Sequence, residues 1–110
     1  MDLIDAIRIV SRTWKFTGEE YPDLENTSQD KGFARKFAFR HVVFHLCESS
    51  GKLAGIVEDM DHGTAVDVRV IPDRIVKMLI NTLRLADLHG MTGEDLAKGL
   101  QKWASDKERL

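Results

Sequence analysis

Between His41 and Asp59 the side chains that could do chemistry recur at helical spacing: His41, His45, Glu48, Lys52 and Asp59, with Gly55 in the same line. A helix turns each residue by about 100°, so these positions form one narrow polar line. Val42, Val43, Leu46, Cys47, Leu53, Ala54, Ile56 and Val57 occupy most of the remaining circumference. A helix that is apolar nearly all round is a buried one. Its polar line then faces a pocket, a partner helix or ordered water, or it is the single solvated edge. The next segment repeats the theme, with Asp73, Arg74, Lys77, Asn81 and Arg84 on one side and Ile75, Val76, Leu79, Leu83 and Ala86 on the other. Two neighbouring polar lines can face each other across a cleft, where Lys52, Arg74, Lys77 and Asn81 suit a phosphate. For Arg84 alone the expected place is the solvated surface.

Metal binding has two weaker candidate sets. His41 and His45 have the spacing of zinc ligands, and Glu48 one turn further would add a third. The sequence HVVFH lacks the glutamate of the protease motif, however, and a hydrogen-bonded imidazole pair is the plainer expectation. Glu58 and Asp61, beside His62, form the second set, but Glu58 points about 120° away from Lys52 around the helix. Acids and histidines at a helix end commonly meet only water.

Four helices must position these groups, over residues of about 2–16, 33–61, 72–89 and 93–106. Asp2 is a fitting N-cap for the first, whose inner stripe is Leu3, Ile7, Val10 and Trp14. Residues 19–32, with Pro22, Asn26, Thr27 and Ser28, have loop composition. The second helix is unusually long, offers Phe37, Val42, Leu46, Leu53 and Ile56 to the core, and stops at Gly63. Gly51 and Gly55 leave a patch where another backbone could approach closely. Val66, Val68 and Val70 alternate with Asp67 and Arg69, which predicts an extended connection. Pro72 opens the third helix, which offers Ile75, Leu79 and Leu83 and ends at His89-Gly90. Thr92 and Asp95 resemble a capping box at the start of the fourth, whose inner face is Leu96, Leu100 and Trp103. The tail DKERL is expected to fray.

At 110 residues, 43% apolar and 31% charged, the chain is the size and composition of one all-α domain. The second and third helices carry more apolar surface than a lone small bundle needs, so a homo-oligomer, dimer or tetramer, is expected. A net charge of −2 lacks the basic excess of a nucleic-acid binder, and no apolar run approaches the length of a membrane span. The N-terminus, with Asp2, Asp5 and Arg8 in its apolar pattern, is unlike a signal or transit peptide. The single Cys47 has no intramolecular partner, which makes a reducing, cytoplasmic setting the expectation, and its place on a mostly apolar helix makes an inert buried thiol the expected role.

The segment HLCESSGKLAGIVEDMDHG, followed by IVKMLINTLRLADLHGMTGEDL, resembles the central helix pair of the MazG-like all-α nucleotide pyrophosphohydrolases. That family carries a Glu-Glu-x-x-Glu cluster running into Gly-Glu-Leu-Ala on one helix. A Glu-x-x-Asp on the next leads to Leu-Arg-Leu-Ala-Asp or Asn and a Gly-x-Asp-Leu turn. The similarity runs from about Phe37 to Leu100 and is best between Leu79 and Leu96. It implies a four-helix bundle with a long central helix, and a Mg²⁺ ion held by carboxylates that helps water split a nucleoside triphosphate into monophosphate and pyrophosphate. Carried over by position, Glu48 matches the first Glu, Ser49 stands at the second and Lys52 at the third. Arg74 stands at the Glu and Lys77 at the Asp of the following helix, while Asp87 keeps its place. Glu48 and Asp87 are thus the catalytic candidates. Cations at the other ligand positions turn a cation trap into a cation-repelling site.

Three functions are compatible with this pattern. One is a divergent nucleoside triphosphate pyrophosphohydrolase. Another is a non-catalytic protein that binds a nucleotide or phosphate through Lys52, Arg74 and Lys77. The third is a helical interaction protein whose polar lines pair across a dimer in bridges of the Glu48–Arg74 type.

Overall fold

A computed structural model of the chain describes residues 1–17, 19, 21 and 31–108. Among them all regular structure is helical: α1 (Leu3–Thr13), α2 (Lys31–Asp61), a 3₁₀ turn (Val68–Val70), α3 (Ile71–Leu88) and α4 (Gly93–Glu108). Most of the predicted loop over 19–32 lies outside the described residues.

Local chemistry sets the helix ends. Asp2 accepts the Asp5 amide at 2.8 Å and starts α1. Thr92 and Asp95 form the reciprocal box, with the Asp95 carboxylate accepting the Thr92 amide at 2.9 Å and the Thr92 hydroxyl accepting the Asp95 amide at 3.1 Å. Pro72 lies in the first turn of α3, where its missing N–H costs nothing. Gly63 and Gly90, with φ of +74° and +79°, turn the chain just past α2 and α3. Two elements differ from expectation. Helix α1 stops at Thr13 because Trp14 turns extended, at φ −99° and ψ 91°. The valine alternation of 66–70 winds into a 3₁₀ turn because Asp67 captures both the Arg69 amide (3.0 Å) and its guanidinium (2.9 Å). Helix α4 continues through the tail to Glu108, braced by Lys102 and Asp106 at 3.2 Å.

Helices α2 and α3 form the scaffold. The connection over 62–70 is short, and they run antiparallel: Lys52 shares a cleft with Arg74, His45 with Asn81, and Arg35 and Phe39 meet Leu88 and Gly90. Helix α1 lies along α3, and α4 makes its principal contacts with α1. The four helices are therefore an open arrangement within one chain and not a closed bundle. Among the described residues the buried apolar set is small, comprising Ile7, Ala38, Val42, Leu83 and Ala86, of which Val42 is fully enclosed. Ile75, Leu79, Leu100 and Trp103, expected in the core, are more than half exposed, because α1 covers only the C-terminal half of α3 and the far end of α4 stands clear. Cys47, expected to be buried, is exposed, because it lies about 140° around α2 from Lys52, away from the face set against α3.

The glycines divide the same way. A Cβ on Gly93 would lie 2.5 Å from the Ile4 amide nitrogen and 2.7 Å from the Leu3 carbonyl carbon, so the absence of a side chain is what lets α4 dock on α1. Gly51 and Gly55 have no such neighbour, and no backbone of this chain uses the patch that they leave. Gly93→Ala should accordingly destabilise the chain by about 1–3 kcal/mol in urea unfolding. Gly55→Ala should instead stabilise it by up to about 1 kcal/mol through helix propensity.

Candidate functional site

A cleft of about 330 Å³ opens between α2 and α3 and is closed at one side by Trp14, just beyond the end of α1. Helix α2 supplies His45, Glu48, Ser49 and Lys52; α3 supplies Arg74, Lys77 and Asn81. These side chains converge because each helix repeats every three to four residues and the antiparallel register sets the two lines level.

The cleft has more cation than anion. Lys52 pairs with Glu48 at 3.1 Å and Lys77 with Asp73 at 3.2 Å, both across one helical turn and both about half exposed. Pairs of this kind are weak and readily exchanged. Among the described residues Arg74 has no ion pair within 4 Å. The Lys52 hydrogen bond and charge hold the Glu48 carboxyl below its ordinary range, with His45 and Arg74 adding to the effect.

Beneath these charges lie two uncharged polar groups. Ser49 and Asn81 are only 7% and 4% exposed, yet neither side chain makes a hydrogen bond to a described residue. No buried side-chain oxygen or nitrogen among the described residues is both sealed and unpartnered. The Ser49 hydroxyl and the Asn81 amide must therefore reach the cleft that they line. A hydroxyl and an amide left open in this way can bond water or a polar ligand.

The carboxylates do not fit Mg²⁺. Glu48 is the one carboxylate lining the cleft, and it is engaged by Lys52. Among the described residues no group of three or more His, Cys, Asp or Glu side chains gathers as a metal site. Asp87, the second catalytic candidate, does not reach Glu48. It lies ten residues beyond Lys77, about 15 Å along the helix, where its carboxylate accepts the Ser11 hydroxyl at 2.8 Å and pairs with Arg84 at 3.2 Å. Glu58 bonds His62 at 2.8 Å on the exposed end of α2, and Asp61 is exposed as well.

Arg84 departs furthest from expectation. It is 9% exposed, donates from Nε to the Trp14 carbonyl at 3.0 Å, and lies 5.5 Å from the Phe16 ring centre. Burial lowers its pKa. Arg84 thus ties the end of α1 to α3 and fixes Trp14 at the cleft mouth. The signal for this was the aromatic run Trp14, Lys15, Phe16 just after α1, where a carbonyl freed at the helix end needs a donor.

His41 and His45 bond each other through their Nε2 atoms at 3.0 Å, so at least one ring is neutral. Aromatic rings surround them: Phe37 stacks on His41 at 5.5 Å, Tyr21 meets it at 4.8 Å, and Trp14 approaches His45 edge-on at 5.6 Å. Burial, then His45 and Arg40, lowers the pKa of His41 below its usual 6.5. The unfolded chain then binds a proton that the fold resists. The stability is intact at neutral pH and declines as pH falls through 6.5 toward the lowered value. The melting temperature should fall between about pH 7.5 and 5.5, and His41→Phe should flatten that slope; parallel slopes for variant and wild type would count against the pair.

Comparison with protein families, characterised proteins and solved structures finds no match to this chain.

Proposed function

We propose that this chain binds the phosphates of a nucleotide directly, without a divalent metal and without hydrolysing them. The scaffold is a MazG-like helix pair in which cations stand where that family holds carboxylates. One observation carries the proposal: the open hydroxyl of Ser49 and amide of Asn81 lie at the bottom of a cleft rimmed by Lys52, Arg74 and Lys77.

Each group has a separable task. The Arg74 guanidinium presents paired N–H donors that match two phosphate oxygens, and the lysines supply mobile point charges. Ser49 and Asn81 donate from the cleft floor, where the lower dielectric makes a hydrogen bond stronger. Glu48 opposes an anion, and a phosphate must displace it from Lys52. Trp14 offers an aromatic edge at the mouth, on the side where a nucleobase would emerge. Turnover would require an activated water, and the Glu48 carboxylate, paired with Lys52 and lowered in pKa by it, is a weaker base for that than a free one.

Thermal melts with ATP test this. In EDTA, at about a hundredfold excess over Kd, binding adds about 2.7 kcal/mol and should raise the melting temperature by on the order of 10 °C. Arg74→Ala and Lys77→Ala should each weaken binding by about tenfold or more, the worth of a charged hydrogen bond. Glu48→Gln should strengthen it. Stabilisation that appears only with Mg²⁺, or release of pyrophosphate that Glu48→Gln abolishes, would establish the hydrolase instead.

A further inference from the structure

His41 and His45 meet nitrogen to nitrogen, with their Nε2 atoms 3.0 Å apart, their ring centres 4.7 Å apart and their planes inclined by 73°. A straight N–H···N bond of that length would hold the ring centres about 5.3 Å apart, because each centre lies about 1.15 Å behind its nitrogen. The rings therefore lean, and their lone pairs do not simply oppose each other. An ion about 2.05 Å from both nitrogens, lying on both lone pairs, would be about 3.2 Å from each ring centre. By similar triangles, nitrogens 3.0 Å apart then place the ring centres about 4.7 Å apart, the separation observed. The angle subtended at such an ion would be about 94°.

That angle selects the kind of ion. Two imidazoles at a right angle suit the square-planar or tetragonal geometry of Cu²⁺ and Ni²⁺, whereas a tetrahedral Zn²⁺ would need the nitrogens about 3.3 Å apart. The surroundings hold the rings in this pose. Phe37 stacks on His41 with planes 8° apart, Trp14 meets His45 edge-on at 5.6 Å, and Phe44 lies 6.3 Å from one ring and 6.1 Å from the other. Supporting contacts of this kind fix a ligand before the ion arrives. His45 lines the phosphate cleft, but His41 opens on a separate hollow of about 320 Å³ beside Arg40 and Phe44, which gives an ion a route that avoids the cleft. Arg40 at that opening repels hard ions, which bind through charge and oxygen, and leaves the advantage to ions that bond neutral nitrogen. One turn along, Glu48 is engaged by Lys52 at 3.1 Å, so the chain supplies two nitrogens and water the remaining ligands.

We infer that His41 and His45 chelate a divalent late transition-metal ion, Cu²⁺ or Ni²⁺, through their Nε2 atoms at the aromatic end of α2. The hydrogen bond between the rings is exchanged for the ion. In the neutral pair one Nε2 carries a hydrogen, and binding needs both lone pairs, so that hydrogen moves to Nδ1 of the same ring and the pair keeps its charge. Neither Nδ1 bonds a described residue, so each can carry its hydrogen toward water. The site is independent of what the cleft binds.

Titration of the chain with Cu²⁺ at neutral pH, followed by electron paramagnetic resonance, tests it. The wild type should bind one equivalent and show hyperfine splitting from two nitrogens. His41→Gln and His45→Gln should each reduce the splitting to that of one nitrogen and weaken binding by about tenfold or more. His62→Gln, which removes the histidine that Glu58 bonds at the far end of α2, should leave spectrum and affinity unchanged. Ni²⁺ should bind more weakly than Cu²⁺, and Mg²⁺ should not compete with either. A wild-type spectrum with one nitrogen or none overturns the proposal whatever the variants do. So does a two-nitrogen spectrum that survives His41→Gln and His45→Gln and is lost with His62→Gln.

Discussion

The antiparallel seating of α2 on α3 is the constraint on which the rest depends. Both helices are apolar over most of their circumference, so their relative rotation decides which residues are covered and which remain. Among the described residues Ala38 and Val42 on α2 and Leu83 and Ala86 on α3 are buried. Leu83 and Ala86 lie about 120–180° around α3 from Lys77, so α3 is covered on a side other than the one that lines the cleft. The polar lines of the two helices fall on the front, level with each other. Helix α1 is held on α3 by Arg84, whose guanidinium donates to the Trp14 carbonyl where α1 ends. Helix α4 is held by the bare backbone of Gly93.

This seating gives the front its electrostatic character. In a carboxylate-lined cleft, repulsion among the acids is relieved by a metal ion. Here Ser49, Lys52, Arg74 and Lys77 line the cleft, with Glu48 the one carboxylate among the described lining residues. The lysines are half-neutralised by acids one turn away on their own helices, so the cleft remains cationic without being strained. An anion entering it competes with weak, solvent-exposed pairs, which is a small cost. The hydroxyl and amide below are already desolvated and already open.

How much of this could be read in the sequence follows from which interactions are local. The Asp2 cap, the Thr92–Asp95 box, Pro72 at a helix start and the glycine stops at 63 and 90 are decided within four or five residues, and all were legible. Periodicity also placed Lys52, Arg74, Lys77 and Asn81 on the right lines. It could not tell which apolar face is covered. Ile75, Leu79, Leu100 and Trp103 have the spacing of core residues, yet each remains more than half exposed, because spacing does not say where the neighbouring helices will lie. Arg84 was misjudged for the same reason: its partner, the Trp14 carbonyl, lies 70 residues away and belongs to a helix end. The pairing of Asp87 with Ser11 and Arg84, in place of Glu48, is likewise a matter of tertiary position along α3.

The account stands on the two polar lines meeting in one cleft, and a charge reversal probes that most directly. Lys52→Glu combined with Lys77→Glu would leave Glu48 and Asp73 without their cations and gather three carboxylates around one hollow, Glu48 and the two introduced ones. Hard divalent ions bind such oxygen clusters. Manganese titration followed by electron paramagnetic resonance should then show one Mn²⁺ bound per chain of the double variant and none in the wild type. Either single substitution should bind far more weakly. If the double variant binds no more Mn²⁺ than the wild type, the lines do not share a cleft and the account fails.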